Sequence, residues 1–581
     1  MLLRINASMT TIMSASLIVL VCGMFTSVNA IAAGPGAPGD TPAGGEPRPG
    51  DLLPTLPKTD APAEAPLELP AKTLPEKKAK KAYGVKTFIK EVRLTGNTVF
   101  STETLKEVTA PYEDRTVYSS ELEDLRIELT RYYIDRGYIN SGAVLPDQKI
   151  SAGIVNIVIV EGTLTDIEIV GNTHLSSSYI EDRIRLGAEP PLNVNELQEQ
   201  IQIILESPVV KTINSALRPG DKPGEASLTA LVKEGPRFQY IQVVDNRLSP
   251  TLGDVRALPQ IYVYDMTGNG DVFSTGVGIG EGLTDSYANW AIPVNTHNTT
   301  LSLIANHSDS AIKNGDTKVL DITNKASTFG FRISHPFYHT PKQKFSMALG
   351  MDQRQSQTKL GGVGFGFDPT PPDGRARVSV IRFSQEWSDH SSTQVLAARS
   401  TFSFGIDALD ATISTNNGPD GEFSAWLGQF QWAKRLEDNW GQLIFRTNIQ
   451  LTNDALLSME QFSVGGALSV RGYKENQLVR DKGYIASLEY RYPLMQDASG
   501  RSVFALAPFI DAGGADNNTL PNGTEPDSIS SAGLGLRWDP TPKVHAQLYW
   551  GHAFDDVSKG VDSLQADGYH FLISANLLEW L

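Results

Sequence analysis

The chain has 581 residues, more than one ordinary domain holds, and a formal net charge of −16. That acidic balance argues against a general nucleic-acid binder, so no nucleic-acid partner is expected. The one cysteine, Cys22, lies in an N-terminal apolar stretch, which excludes disulfides and thiolate metal sites from the mature protein.

Residues 1–30 read as a secretory signal peptide. Arg4 precedes an apolar stretch from Ile12 to Phe25, and Ser27-Val28-Asn29-Ala30 supplies a cleavage site after Ala30, with Ala33 as the alternative. Residues 31–83 are rich in Pro, Ala, Gly and Lys and read as a linker that buries almost nothing. Within it Lys77, Lys78, Lys80 and Lys81 read as a solvated charge run, with a membrane or partner contact as the alternative. No later apolar run reaches the roughly 18 residues of a transmembrane helix. A membrane barrel stays open, because its strands give only a weak, alternating signal.

An internal repeat follows. Ile89-x-x-Val92-x-Leu94-x-Gly96-Asn97-Thr98-x-Phe100 recurs 75 residues later as Leu164-x-x-Ile167-x-Ile169-x-Gly171-Asn172-Thr173-x-Leu175. Two copies of one module, 84–162 and 163–235, are therefore expected. Each opens with an alternating strand ending in a Gly-Asn turn. Leu122, Leu125, Leu129 and Tyr132 then share a helix face, with Ser120 and Glu123 spaced as a capping box. In the second copy Leu197, Ile201, Ile204 and Leu205 do the same behind Asn193 and Glu196. Two strands close each copy, giving the order β-α-α-β-β twice. These residues resemble POTRA domains. Gly137-Tyr138-Ile139, Leu145-Pro146-Asp147-Gln148 and Val160-Glu161-Gly162 resemble the first POTRA of two-partner secretion transporters. Leu217-Arg218-Pro219-Gly220-x-x-Pro223-Gly224 resembles their second.

From 236 to 581 helical periodicity gives way to period-two segments. Phe329, Phe331 and Ile333 alternate with Gly330 and Arg332, and Tyr484, Ala486, Leu488 and Tyr490 alternate with Ser487, Glu489 and Arg491. Alternation alone fits a soluble sandwich as well as a membrane barrel. The aromatic segment ends, the signal peptide and the number of segments favour an all-β transmembrane barrel, with sixteen antiparallel strands suiting the length. Short links at 493–501 and 539–543 alternate with long ones at 512–530 and 552–567, which places the C-terminus and the POTRA pair in the periplasm. The glycines at 276, 278, 280 and 282 read as a strand with an unobstructed lumenal face.

One long connection, 452–483, carries Ser469-Val470-Arg471-Gly472-Tyr473, and Arg471 has no acid among its neighbours. If this segment and Phe509-Ile510-Asp511-Ala512-Gly513 face one enclosed lumen, Arg471 and Asp511 can pair there, since an unpaired buried guanidinium is costly. Phe509 and Asp511 share parity and would face inward, Ile510 outward.

The barrel region resembles the Omp85 superfamily, specifically its two-partner secretion (TpsB) branch. The resemblance implies that Ser469–Tyr473 is the signature loop folded into the lumen. It also implies that Phe509-x-Asp511-x-Gly513 is the wall motif receiving Arg471, with Gly472 and Gly513 permitting close approach and Tyr473 packing the tip. Asp245-Asn246-Arg247 also resembles the family. Two departures stand out. Trp580 is penultimate and Leu581 last, where such barrels end in an aromatic residue, and residues 31–83 show no clear plug helix.

No G-x-S-x-G, P-loop or H-E-x-x-H occurs, and the nine histidines lack ligand spacing. No cofactor, metal or enzymatic activity is expected. The implied function is export of a secreted TpsA-type exoprotein, an adhesin or haemolysin, without nucleotide hydrolysis, by a barrel in outer-membrane lipid inserted by the assembly machinery of that membrane. The substrate would add as a strand to the second POTRA at Val209, Val210, Lys211 and Thr212. The alternative is a barrel-assembly insertase of the same superfamily.

Overall fold

The computed structural model describes residues 67–69, 83–366, 373–414, 418–437, 440–519, 521–558 and 560–580. The expected signal peptide, most of the linker with its lysine run, and Leu581 lie outside the described residues. The described chain falls into two compact units, Pro62–Gly235 with Thr267–Gly270, and Pro236–Met266 with Asp271–Leu581.

The first unit holds the two repeats. Strand β1 (Leu67–Glu68) precedes the first copy, which contains β2 (Lys86–Ile89), β3 (Glu91–Thr95), α1 (Thr102–Thr109), β4 (Arg115–Tyr118), α2 (Ser119–Ile134), β5 (Gly142–Val144) and β6 (Ile154–Val160). The second copy contains β7 (Thr163–Val170), α3 (Ser177–Leu186), α4 (Val194–Leu205), β8 (Val210–Pro219) and β9 (Glu225–Glu234). In the first copy β3 runs parallel to β6, the middle strand of its sheet, and β5 pairs antiparallel on the other side of β6. In the second β7 runs parallel to β9, and β8 pairs antiparallel on the other side of β9. The β2–β4 ribbon is an addition to the expected order.

Leu122, Leu125 and Leu129 of α2 pack on Val92, Leu94, Val155 and Ile157 of the sheet. Tyr133, not Tyr132, completes the buried stripe; Tyr132 lies at its rim with Arg136 stacked 3.5 Å over its ring. The α2 cap also differs from expectation. The helix begins behind Tyr118, Glu121 accepts the Tyr118 N–H at 2.7 Å, and Ser120 Oγ accepts from Tyr83 N instead.

The repeated Gly-Asn-Thr turns are held alike. Asn97 Nδ2 donates to Phe100 O, and Asn172 Nδ2 to Leu175 O. A glutamate at the end of the last strand closes each turn from outside. Glu161 accepts the N–H groups of Thr98 and Val99 at 2.7 and 2.9 Å and the Tyr133 hydroxyl at 2.9 Å. Glu234 accepts those of Thr173, His174 and Leu175 at 2.7–2.9 Å and the Thr173 hydroxyl at 2.8 Å. Burial would raise the Glu234 carboxyl, but the His174, Thr173 and Leu175 N–H groups outweigh it and hold it at about 2, well below its ordinary 4.5.

The second unit is a closed barrel of sixteen antiparallel strands. They are β10 (Phe238–Asp245), β11 (Arg256–Tyr264), β12 (Val272–Gly280), β13 (Leu283–Pro293), β14 (Thr300–Ala311), β15 (Ile322–His339), β16 (Gln343–Leu360), β17 (Arg375–His390), β18 (Gln394–Ile406), β19 (Ser424–Arg435), β20 (Gln442–Thr452), β21 (Lys482–Gln496), β22 (Ser502–Asp516), β23 (Ser528–Thr541), β24 (Val544–Ala553) and β25 (Tyr569–Trp580). Strand β25 pairs with β10 to close the ring. Phe329, Phe331, Ile333, Leu349, Ile510, Leu534, Leu536, Trp550 and Ile573 are all exposed on the outer face, an apolar band with lipid as its natural solvent. Several strands outrun the expected ends: β15 and β16 have 18 residues each, and the link read at 539–543 shrinks to 542–543.

The glycine stretch on β12 is not unobstructed. A Cβ on Gly276 would lie 2.6 Å from the Tyr287 ring, and one on Gly278 would lie 2.1 Å from the Asp285 carboxylate, beside Arg256. These glycines make room for neighbouring large side chains. Gly282 lies beyond the strand end.

Candidate functional site: the lumenal loop and its anchors

Strands eleven and twelve of the barrel, β20 and β21, are joined by residues 453–481. The segment folds inward because its sequence gives it an apolar side of its own. Phe462–Val464 pairs with Leu478–Arg480 as a short hairpin, and Phe462, Val464, Val470, Tyr473 and Leu478 pack against the wall residues Leu427, Ile485 and Ile529. Nearer its start, Leu456, Leu457 and Met459 pack on Val378 and Val380 of β17. Arg480 and Asp481 fix its return: Arg480 Nη1 donates to Ala515 O at 2.7 Å, and the Asp481 carboxylate accepts from Leu456 N and Asn518 N, both at 2.9 Å.

The turn beyond the hairpin places Arg471 against β21 and β22. Its Nε and Nη2 donate to the two oxygens of Asp511 at 2.8 and 2.9 Å, and its backbone N–H reaches the same carboxylate at 3.0 Å. This is a bidentate fork with a third donor from the main chain. Arg471 Nη1 also donates to Glu489, and Nη2 to Ser487 Oγ at 3.1 Å. The guanidinium lies 3.7 Å from the Phe509 ring centroid and 4.7 Å from that of Tyr549. Arg471 is 4 % exposed and Asp511 1 %, while Ile510 between the wall residues is 54 % exposed on the lipid side.

Gly472 follows with φ of +96°, and a Cβ there would meet the Gly551 backbone at 2.9 Å, so the turn needs a residue without a side chain. Its N–H donates to His570 Nε2 at 3.2 Å. A Cβ on Gly513 would lie 2.6 Å from Val464 of the loop. The Tyr473 hydroxyl donates to Ser530 O at 2.8 Å and accepts from Asp555 N at 3.0 Å, tying the tip to β23 and the connection after β24. All six residues singled out in loop and wall, Arg471, Gly472, Tyr473, Phe509, Asp511 and Gly513, thus meet in one cluster. Glu489, Ser487, Tyr549 and His570 join them and were not singled out. Ser487 and Glu489 share the inward parity of their strand, and Glu489 and Ser487 pair in register with Phe509 and Asp511.

The second candidate surface is the edge of β8. Val209 lies just before the strand with its carbonyl taken by Gly235 N at 2.8 Å, and Val210 is buried. Lys211 and Thr212 are exposed, with a bulge in the β8–β9 register between Val210 and Thr212. Farther along, the outer edge is occupied: Leu67–Glu68 pairs in parallel with Ser215–Ala216. This short piece of the linker stays mostly exposed but adds a strand, because an open sheet edge offers unpaired backbone groups to any extended segment in reach.

Residues 226–538, more than half the chain, match the family described as haemolysin secretion/activation protein ShlB/FhaC/HecB, and residues 87–162 match the ShlB-type POTRA domain. The chain belongs to the ShlB/FhaC/HecB family. Among relatives, the heme/hemopexin transporter protein HuxB of Haemophilus influenzae is 22 % identical over 450 residues, covering 74 % of this chain and 76 % of that protein. The outer membrane transporter CdiB of Dickeya dadantii is 21 % identical over 460 residues, covering 76 % and 78 %. The solved structure of CdiB from Escherichia coli has the same fold, with a TM-score of 0.66 at 17 % identity over 87 % of this chain and 93 % of that one. The protein is accordingly an outer-membrane transporter of the two-partner secretion type, with its POTRA domains in the periplasm.

Proposed function

We propose that this protein exports a large, unfolded TpsA-type exoprotein, an adhesin or haemolysin, from the periplasm without hydrolysing nucleotide. The observation that carries the reading is the lumenal loop. A segment fastened inside the barrel by a buried arginine shared between two wall strands suits a pore that must be held in one conformation and released for cargo. Charge pairs fit that use, because water and the passing chain can solvate both partners once they part.

The cargo would enter by strand addition to the β8 edge at Val209–Thr212, where main-chain hydrogen bonds accept any extended sequence. Folding of the exported chain outside makes return unfavourable and gives the process its direction. The proposal includes the module boundaries: a signal peptide at 1–30, a linker at 31–83, POTRA domains at 84–162 and 163–235, and the barrel from 236. It also includes contact of the outer apolar band with outer-membrane lipid, and insertion by that membrane's assembly machinery.

The test is secretion. The chain is expressed with the large exoprotein encoded beside it, and the medium is assayed with and without the transporter. Transporter-dependent appearance of that exoprotein, with other outer-membrane proteins unchanged, supports the proposal. A fall in outer-membrane protein levels on depletion, without any secretion phenotype, replaces it with the insertase alternative.

A further inference from the structure

The Arg471 cluster holds only one end of the lumenal loop. Eleven residues earlier, Glu460 sits in the same segment, 2 % exposed, and reaches a different part of the wall. Its Oε1 accepts from Arg354 Nη1 of β16 at 2.9 Å and from Arg382 Nη2 of β17 at 2.8 Å, and its Oε2 accepts from Arg382 Nη2 at 3.0 Å. Arg354 Nη1 also donates to the carbonyl of the adjacent Met459 at 2.8 Å, so the contact includes loop backbone as well as side chain. Arg382 is itself braced, by Asp352 at 2.7 Å and Ser403 Oγ at 2.7 Å.

We infer that Glu460 is a second anchor of the lumenal loop, independent of the first and inverted in charge. At the first anchor the loop supplies the cation and the wall the carboxylates; at the second the loop supplies the carboxylate and the wall the cations. The two wall sites lie on strands seven and eight and on strands twelve and thirteen of the sixteen, so the loop spans between separate arcs of the barrel. A segment tied at one arc can still swing about that tie. Tied at both, it is a crossbar, and opening the lumen requires both ties to part. Opposite polarity keeps the anchors from exchanging partners, since neither loop charge is accepted at the other wall site. The inference rests on the proposed role of the loop in holding the pore.

The test is ionic conductance of the purified full-length protein in planar lipid bilayers, which is independent of cargo. Four forms are compared: the unaltered chain, Arg471→Ala, Glu460→Gln, and the double variant. Heat-modifiable gel mobility confirms that each barrel is assembled. Each single variant is expected to raise time-averaged conductance by no more than about threefold, because the other tie remains, and the double variant by about tenfold or more. Arg354→Met is the second probe. It should reproduce Glu460→Gln, and combining the two should add little, since both remove the same pair. A double variant no more conductive than Arg471→Ala alone overturns the second anchor, as does an Arg354→Met effect that adds fully to that of Glu460→Gln. A purely structural Glu460 would change barrel stability and leave conductance where it was. Export by the same variants is assayed separately, so failure of the transport proposal and failure of the anchor are read from different measurements.

Discussion

The glutamates of the two POTRA domains and the arginine of the lumenal loop are all ordered charges, yet they are satisfied in opposite ways. Among the described residues no arginine or lysine pairs with Glu161 or Glu234; backbone N–H groups of a neighbouring turn and hydroxyls hold them, with His174 Nδ1 3.3 Å from the Glu234 carboxylate. Arg471 is held chiefly by formal charges, the carboxylates of Asp511 and Glu489. Backbone donors belong to the fold itself and cannot leave without unfolding it, so the glutamate makes a permanent joint. Side-chain carboxylates on a wall can be left behind by a loop that moves. The difference marks which joints are built to stay and which can be released.

The comparison breaks most visibly at Arg471. Arg471→Ala leaves two buried carboxylates without their shared cation, a loss of about 3–5 kcal/mol in comparable buried pairs. Secretion of the exoprotein should fall by at least about tenfold while the barrel still assembles, measured by immunoblot of medium and membrane fractions. Arg471→Lys should recover only part of the loss, because an ammonium cannot fork onto both Asp511 oxygens while also reaching Glu489. Normal export from the alanine variant would remove the loop from the mechanism.

The permanent joint predicts a different signature. Glu234 is depressed from 4.5 to about 2, so its stabilisation is fully present above the unfolded value and is lost as pH falls through the window from about 4.5 to about 2. Glu234→Gln should cost on the order of 2–3 kcal/mol and remove that part of the acid dependence. Hydrogen exchange at the amides of Thr173–Leu175 should rise in the variant at neutral pH, with export little changed at permissive temperature. A large export defect with unchanged exchange would mean that Glu234 works at a moving contact, erasing the contrast with Arg471.

Much of this was legible in the sequence, and the limits have physical causes. Period-two alternation marked the strands and the shared parity of Phe509 and Asp511, since a pleated strand leaves no choice about which side chains share a face. The choice of a barrel also needed the aromatic segment ends, the signal peptide and the number of segments. The Gly-Asn-Thr repeat identified the paired modules. Glu489 went unmarked although its parity was plain, because its meeting with Arg471 depends on strand register, and spacing along one strand says nothing about register with the next. Glu460 is hidden for the same reason, as its partners Arg354 and Arg382 lie about a hundred and about eighty residues upstream. The α2 cap slipped because Ser-Ser-Glu-Leu-Glu at 119–123 offers two overlapping registers, and only the added β2–β4 ribbon selects the earlier one. Composition could not reveal β1 either: a two-residue strand is stabilised by the edge it joins, not by its own propensity.

The smallest effect sharpens the contrast at a third kind of joint, one made of main chain alone. Leu67–Glu68 holds the β8 edge through two residues of parallel pairing, with Leu69 beside it largely exposed. So short a strand contributes on the order of 1 kcal/mol, the net scale of one or two exposed hydrogen bonds. It is therefore weaker than either charged joint and can be displaced by an incoming extended segment that pairs along more of β8. Leu67→Pro removes a backbone donor and should free this edge. An extended peptide from the exoprotein should then bind the full-length transporter about two- to fivefold more tightly, as read by fluorescence anisotropy. Val210→Pro, at the start of the same strand, should act in the opposite sense and weaken binding. If both variants bind the peptide as the unaltered chain does, the cargo docks elsewhere on the POTRA pair, and β1 is only a cover for an edge that would otherwise invite aggregation.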